Sequence, residues 1–172
     1  MKTAENLFIM LPAPILNQQT AAVIRECNPY TQRFGLMLSE QEIGRLVENR
    51  REALEQMGRI EFGGGVIQKL IMEFADSAYL NQDDYADTLI QLQECFYYFK
   101  GEAQEELPDD ELIHLMKLYY EDVCQGSVEY LQTTMLENHC RDIRYGTQEY
   151  RTSDGYEDNY IDFLDWDEGE WD

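Results

Sequence analysis

The sequence predicts an all-α fold, a single helical-bundle-like domain of about six helices, and three observations lead there. Apolar residues recur at three- and four-residue spacing, as in Ile43, Leu46, Val47, Leu54 and Met57, or Leu112, Leu115, Met116 and Tyr119. Helix starts and stops punctuate these runs: Asn28-Pro29, Ser39, Gly58, Asn81, Pro108 and Gln125-Gly126-Ser127. The connections between runs are short, as suits helices that pack side by side.

Taken in order, Leu7-Phe8-Ile9-Met10-Leu11 reads as a short strand or an extended arm laid on the core, and periodicity does not choose between them. Ile15 to Arg25 suits a short helix that Asn28-Pro29 should stop, because a residue before proline avoids helical geometry. Ser39-Glu40-Gln41-Glu42 is a capping box: the serine hydroxyl accepts from the third helical amide while Glu42 reaches back to the serine amide. The helix it opens ends at Gly58, and its exposed face should carry Arg45, Glu48, Arg50, Arg51, Glu52 and Glu55.

Gly63-Gly64-Gly65 then leads into Val66, Ile67, Leu70, Ile71 and Phe74, a stripe broad enough for a helix buried over much of its surface. Asn81 with Asp84 should cap the next helix, which buries Tyr85, Leu89, Leu92, Phe96 and Phe99, and Gly101 should loosen its end. Pro108 fits the first turn of a further helix. A last helix should carry Val128, Leu131, Met135 and Cys140. Residues 1–145 are thus expected to form the helical domain.

From Gly146 the character changes. Ten acidic residues face Arg151 alone, interleaved with Tyr150, Tyr156, Tyr160, Phe163, Trp166 and Trp171. Residues 146–172 read as an acidic, aromatic tail, disordered alone or folding on a partner. Both tryptophans of the protein lie there.

With 172 residues and 44% apolar content, the chain can bury a core without disulfide or metal staples. The formal net charge of −22 opposes nucleic-acid binding, because Lys and Arg are what neutralise phosphates, and opposes an anionic membrane surface equally. A basic protein partner or a second copy of the chain remains as the expected partner. Cys27, Cys95, Cys124 and Cys140 are widely spaced and read as buried thiols in a reducing compartment. The broken apolar run at the N-terminus is too short for a signal peptide or a span, so a cytoplasmic location is expected.

No motif assigns an activity or calls for a cofactor. The triple glycine could cradle an anion at a helix start, with Arg59, Glu61 and His114 completing a small-ligand or catalytic site. It matches neither the dinucleotide nor the Walker pattern, since Lys69 has no Ser or Thr after it, and Glu61 would repel a phosphate. A tight turn or a close helix contact explains the glycines equally well. Glu111-Leu112-Ile113-His114 is the Glu-x-x-His unit of di-iron bundles, but His139 has Leu136 three residues before it, so a second unit is missing even with Glu73 and Glu94 nominated. His139 and Cys140 are adjacent on a helix and point apart, which defeats a thiol nucleophile. Asp154 to Asn159 is acidic but lacks the glycine and glutamate of a calcium loop. Phe96-Tyr97-Tyr98-Phe99 surrounds a helix at about 100° per residue, so at least one ring should meet another element, a subunit or a ligand.

At Pro29-Tyr30-Thr31-Gln32-Arg33-Phe34-Gly35-Leu36, at Arg59 through Gly65, and at Tyr85 through Phe96-Tyr97-Tyr98-Phe99-Lys100, the chain resembles a family of uncharacterised bacterial proteins from anaerobic Gram-positive species. The resemblance covers roughly residues 1–145 and implies no activity, substrate or catalytic residue, the family being labelled only as a domain of unknown function.

The sequence therefore favours a non-enzymatic module that binds another protein through its acidic surface, with Tyr97 and Tyr98 on the domain and Tyr160, Phe163, Trp166 and Trp171 on the tail as anchors. A small-ligand site at Gly63 to Gly65, and mimicry of nucleic acid by the acidic surface, are the alternatives. The expectation beneath all of this is that polar side chains are scattered over the helices and do not gather at one point; several ionisable groups converging in an enclosed hollow beside the glycine turn would point to a catalyst instead.

Overall fold

A computed structural model describes residues 13–144 except Glu105. Its helices are α1 (Ala13–Thr31), α2 (Glu40–Met57), α3 (Gly65–Phe74), α4 (Tyr85–Glu102), α5 (Asp109–Asp122), the single turn α6 (Val128–Leu131) and α7 (Met135–Arg144). Six of these have ten or more residues and there is no strand among the described residues, so the fold is all-α. The Leu7–Leu11 segment and the whole of the tail lie outside the described residues.

α4 is the central helix. It contacts α2, α3, α5, α6 and α7, while α1 lies against α2 and α3. This position explains the run of four aromatics: Phe96, Tyr97 and Phe99 are buried and Tyr98 remains 37% exposed. Phe74, Phe96, Phe99, Tyr119 and Tyr120 are among the largest fully buried side chains. No helix among the described residues is long and apolar enough to cross a membrane.

Local signals set α2. Ser39 Oγ accepts from the Glu42 amide, Glu42 Oε1 accepts from the Ser39 amide, and Gly58 closes the helix in the left-handed region at φ +65°. Elsewhere tertiary bonds override the local reading. α1 does not stop at Asn28-Pro29 but runs through to Thr31. The Asn28 amide brackets Leu38, donating to its carbonyl and accepting from its N–H, and so holds the residue before proline in place. Pro29 sits close enough to the helix end that one backbone bond is all it removes.

Asn81 and Asp84 make no side-chain cap on α4. The turn Gln82–Asp84 comes first, and Gln82 binds both the N–H and the C=O of Met37, tying the loop before α4 to the loop before α2. Pro108 stands one position ahead of α5 instead of within its first turn. The expected last helix is two. Ser127 caps α6, and then the Thr133 and Thr134 hydroxyls donate to the carbonyls of Tyr130 and Leu131, taking acceptors that a continuing helix would use.

All four cysteines are buried free thiols. Burial pushes Cys95 and Cys140 up to about 12 and Cys124 to about 11, and raises Cys27 as well. Iodoacetamide at about pH 8 should therefore modify native protein slowly at every cysteine and label all four once denaturant is added. Fast labelling without denaturant would show that the helices open readily.

Candidate functional site

After Gly58 the chain crosses from α2 to α3 without regular structure, and its three consecutive glycines have separate reasons. Gly63 and Gly65 take positive φ, +61° and +54°. Gly64 does not, but a Cβ there would stand 2.7 Å from Val23 Cγ1 and 2.6 Å from Gln68 Cβ, so α1 and α3 can approach only if it is bare. The Thr20 hydroxyl, 3.0 Å from the Gly63 carbonyl, fixes the turn to α1.

This turn brings the Glu61 carboxylate, 5% exposed, onto the start of α3. Oε1 accepts from the Val66 N–H at 3.1 Å and lies 3.5 Å from Arg50 Nε. Oε2 accepts from the Tyr97 hydroxyl and from Arg59 Nε, each at 2.8 Å. Arg50 also donates to Thr20 Oγ1 at 2.9 Å and to the Glu61 carbonyl at 3.1 Å. Arg59 continues to Asp109, where Lys100 Nζ also binds, at 2.9 Å, while donating to the Leu107 carbonyl.

The expectation of scattered polar groups is thus overturned. Arg50, Arg59, Glu61, Tyr97, Lys100 and Asp109 converge beside the glycine turn, and with Thr20 and Val66 they join α1 through α5. What a helix start offers an anion, free N–H groups and a partial positive charge, is taken here by the chain's own Glu61. The groups pair with one another, although Arg50 Nε, 3.5 Å from Glu61 Oε1, is buried without a hydrogen bond. Burial raises the Tyr97 hydroxyl well above its ordinary range and the neighbouring Glu61 charge raises it further, so Tyr97 stays a donor and not a base.

At Asp109 burial works upward, but the bonded Lys100 ammonium and the Arg59 guanidinium outweigh it, leaving the carboxyl below its ordinary 3.8. A depressed carboxylate stabilises the fold above its unfolded value and loses that contribution as pH falls through the folded one. Asp109→Asn should therefore flatten the fall in stability below about pH 4, read as urea midpoints against pH. An unchanged acid limb would mean that Asp109 does not carry it.

Of the residues the sequence nominated, Arg59, Glu61, Gly63, Gly64 and Gly65 do meet. His114 does not: its side chain is 64% exposed on α5, with Nδ1 3.6 Å from Glu73 Oε1. The face of α5 that turns inward is Leu112, Ile113, Leu115, Met116 and Tyr119, which leaves Glu111 and His114 outside. No group of three His, Cys, Asp or Glu side chains among the described residues could hold a metal. Tyr97 is buried in the ion cluster, and Tyr98 bonds Glu137 at 2.9 Å from a partly open position. Tyr160, Phe163, Trp166 and Trp171 lie outside the described residues.

The sequence reading missed Arg50, Lys100 and Asp109, and it placed Arg50 on the exposed face of α2 when it is 6% exposed. The signal was available: Arg50 follows Leu46 and Val47 on the same stripe, where a charge needs a buried partner.

A second feature is open to solvent. Between α2 and α4 runs a groove of about 350 Å³, lined by Asn49, Glu52, Ala53, Gln56 and Met57 on one side and Glu94, Tyr97 and Tyr98 on the other. Past Asn49 and Glu52 it continues into a more open depression of about 540 Å³ bordered by Gly44, Arg45, Glu48 and Ile90. Arg45 is paired with Asp87 and Glu48 with Arg51. Glu52 and Glu94 have no cationic partner among the described residues.

The family model described as a family of unknown function (DUF6323) matches residues 23–149, beginning later than the resemblance drawn from the sequence and ending slightly beyond it. No curated protein matches the chain, and no solved structure matches it.

Proposed function

We propose that this chain, which belongs to the DUF6323 family of unknown function, acts by binding another protein and not by catalysis. What supports this reading is that the ionisable groups at the glycine turn are ion-paired with one another, Arg50 Nε alone lacking a hydrogen bond, with Glu61 standing where a ligand anion would stand. An enzyme needs polar groups left over for substrate. The leftover charge lies instead on surface carboxylates, within a net −22, which suits a basic partner in the cytoplasm of an anaerobic Gram-positive bacterium, the source of the proteins this sequence resembles. In this reading the aromatic residues of 146–172 add a second point of attachment.

The test is a comparison of the full chain with residues 1–145 as bait for crosslinking and co-purification. The shorter chain should melt as a folded domain and lose the partner that the full chain retains. Unchanged recovery would remove the tail from the account. In parallel, a thermal-shift screen of nucleotides, metal ions and acidic metabolites should leave the melting temperature unchanged. A ligand at one hundred times its dissociation constant adds about 2.7 kcal/mol, so a clear upward shift with any of them would transfer the function to a small-ligand site.

A further inference from the structure

Resting on that binding reading, we infer that the α2–α4 groove is the docking site and that it takes a lysine- or arginine-bearing segment of the partner. The cationic head lies between Glu52 and Glu94, and the partner backbone passes over Gly44. Gly44 is the independent reason to look here. It sits inside α2, five residues into an eighteen-residue helix, where glycine is the poorest choice after proline. Its φ is not positive, and a Cβ built on it would meet nothing within 4 Å. Nothing inside the fold requires glycine at this position. A bare backbone facing solvent at the border of a groove is what lets another main chain come close.

The occupant follows from charge and shape. The two carboxylates border the groove from α2 and α4, both exposed and without a cationic partner among the described residues, so a cation lying in it is attracted by both. Ala53, Met57, Ile90 and Tyr98 supply apolar surface for the stem of a long basic side chain. Eight residues separate Gly44 from Glu52, which is about 12 Å along the helix, the length of two turns of a docked segment.

The probe is a synthetic fifteen-residue helical peptide with two arginines four positions apart on an alanine-leucine background, beside the same peptide with citrulline for arginine. Titrated into the full chain, the arginine peptide should shift NMR signals of Ala53, Met57, Ile90 and Tyr98 and bind at least tenfold more tightly than the citrulline peptide. Glu52→Gln with Glu94→Gln should weaken it about tenfold, the loss of about 1.4 kcal/mol. Glu26→Gln with Asp122→Asn, which removes the same charge elsewhere, should change it less than twofold. Gly44→Ala should weaken binding at least fivefold while raising the melting temperature by about 2–4 °C.

Equal losses in the two double variants would overturn the groove in favour of bulk charge. Signal changes confined to the tail would overturn the groove and leave the binding reading standing. No binding at millimolar peptide overturns the groove, and a thermal shift with a small ligand in that case overturns the binding reading as well.

Discussion

Glu61→Ala is expected to lower folding stability by about 3–5 kcal/mol, the range for removing one member of a buried ion pair and leaving the other charged. Arg50 would remain 6% exposed with no carboxylate within reach, while Tyr97 and the Val66 N–H would lose their acceptor. Arg59 would lose Glu61 and keep Asp109. Glu61→Gln keeps an acceptor for Tyr97 and Val66 but no charge for the arginines, so it should fall between wild type and alanine. The measurement is urea unfolding followed by circular dichroism, with a lower midpoint and an unchanged slope. A loss under about 1 kcal/mol, the worth of a surface pair, would mean that water already reaches the cluster.

Gly65→Ala should cost about 2–4 kcal/mol for two reasons that act together. An L-residue at φ +54° pays for the left-handed region, and its Cβ would lie 2.4 Å from Glu61 Oε1 and 3.1 Å from Arg50 Nη2. The carboxylate would be pushed off the helix start. Gly58 is the control, since it has φ +65° but open space around its Cβ position. Gly58→Ala should therefore cost only the backbone part, about 1 kcal/mol. Equal losses for the two would show that Glu61 has room to move and is not locked by the turn.

The parts of this fold that local chemistry decides were readable in the sequence. The capping box at Ser39, the stop at Gly58 and the break at Gln125-Gly126-Ser127 each follow from side chains a few residues apart, and the structure has all three. Where a distant partner decides, the reading failed. Asn28 answers to Leu38, Gln82 to Met37 and Arg50 to Glu61, so α1 runs past its proline, the cap on α4 is absent and an arginine leaves the surface.

The same division holds for the site. Arg59, Glu61 and the glycines are neighbours in sequence and were found together, whereas Lys100 and Asp109 reach them from α4 and α5. His114 belongs to a Glu-x-x-His unit whose spacing suits a helix, but that face of α5 is turned away from the cluster. Glu61, which the sequence reads as repelling a phosphate, does more than that in the structure. It is itself the anion that sits at the start of α3.

That last point admits a direct test by chemical rescue. Glu61→Ala leaves a carboxylate-sized space facing Arg50, Arg59 and the Val66 N–H, so formate or acetate should restore part of its melting temperature where chloride at equal ionic strength does not. At ten times its dissociation constant the added anion would return about 1.4 kcal/mol. The wild-type chain, its site already filled, should show no such response to formate, acetate or phosphate. A wild-type chain stabilised by phosphate, with a Glu61→Ala variant indifferent to formate and acetate, would contradict the account.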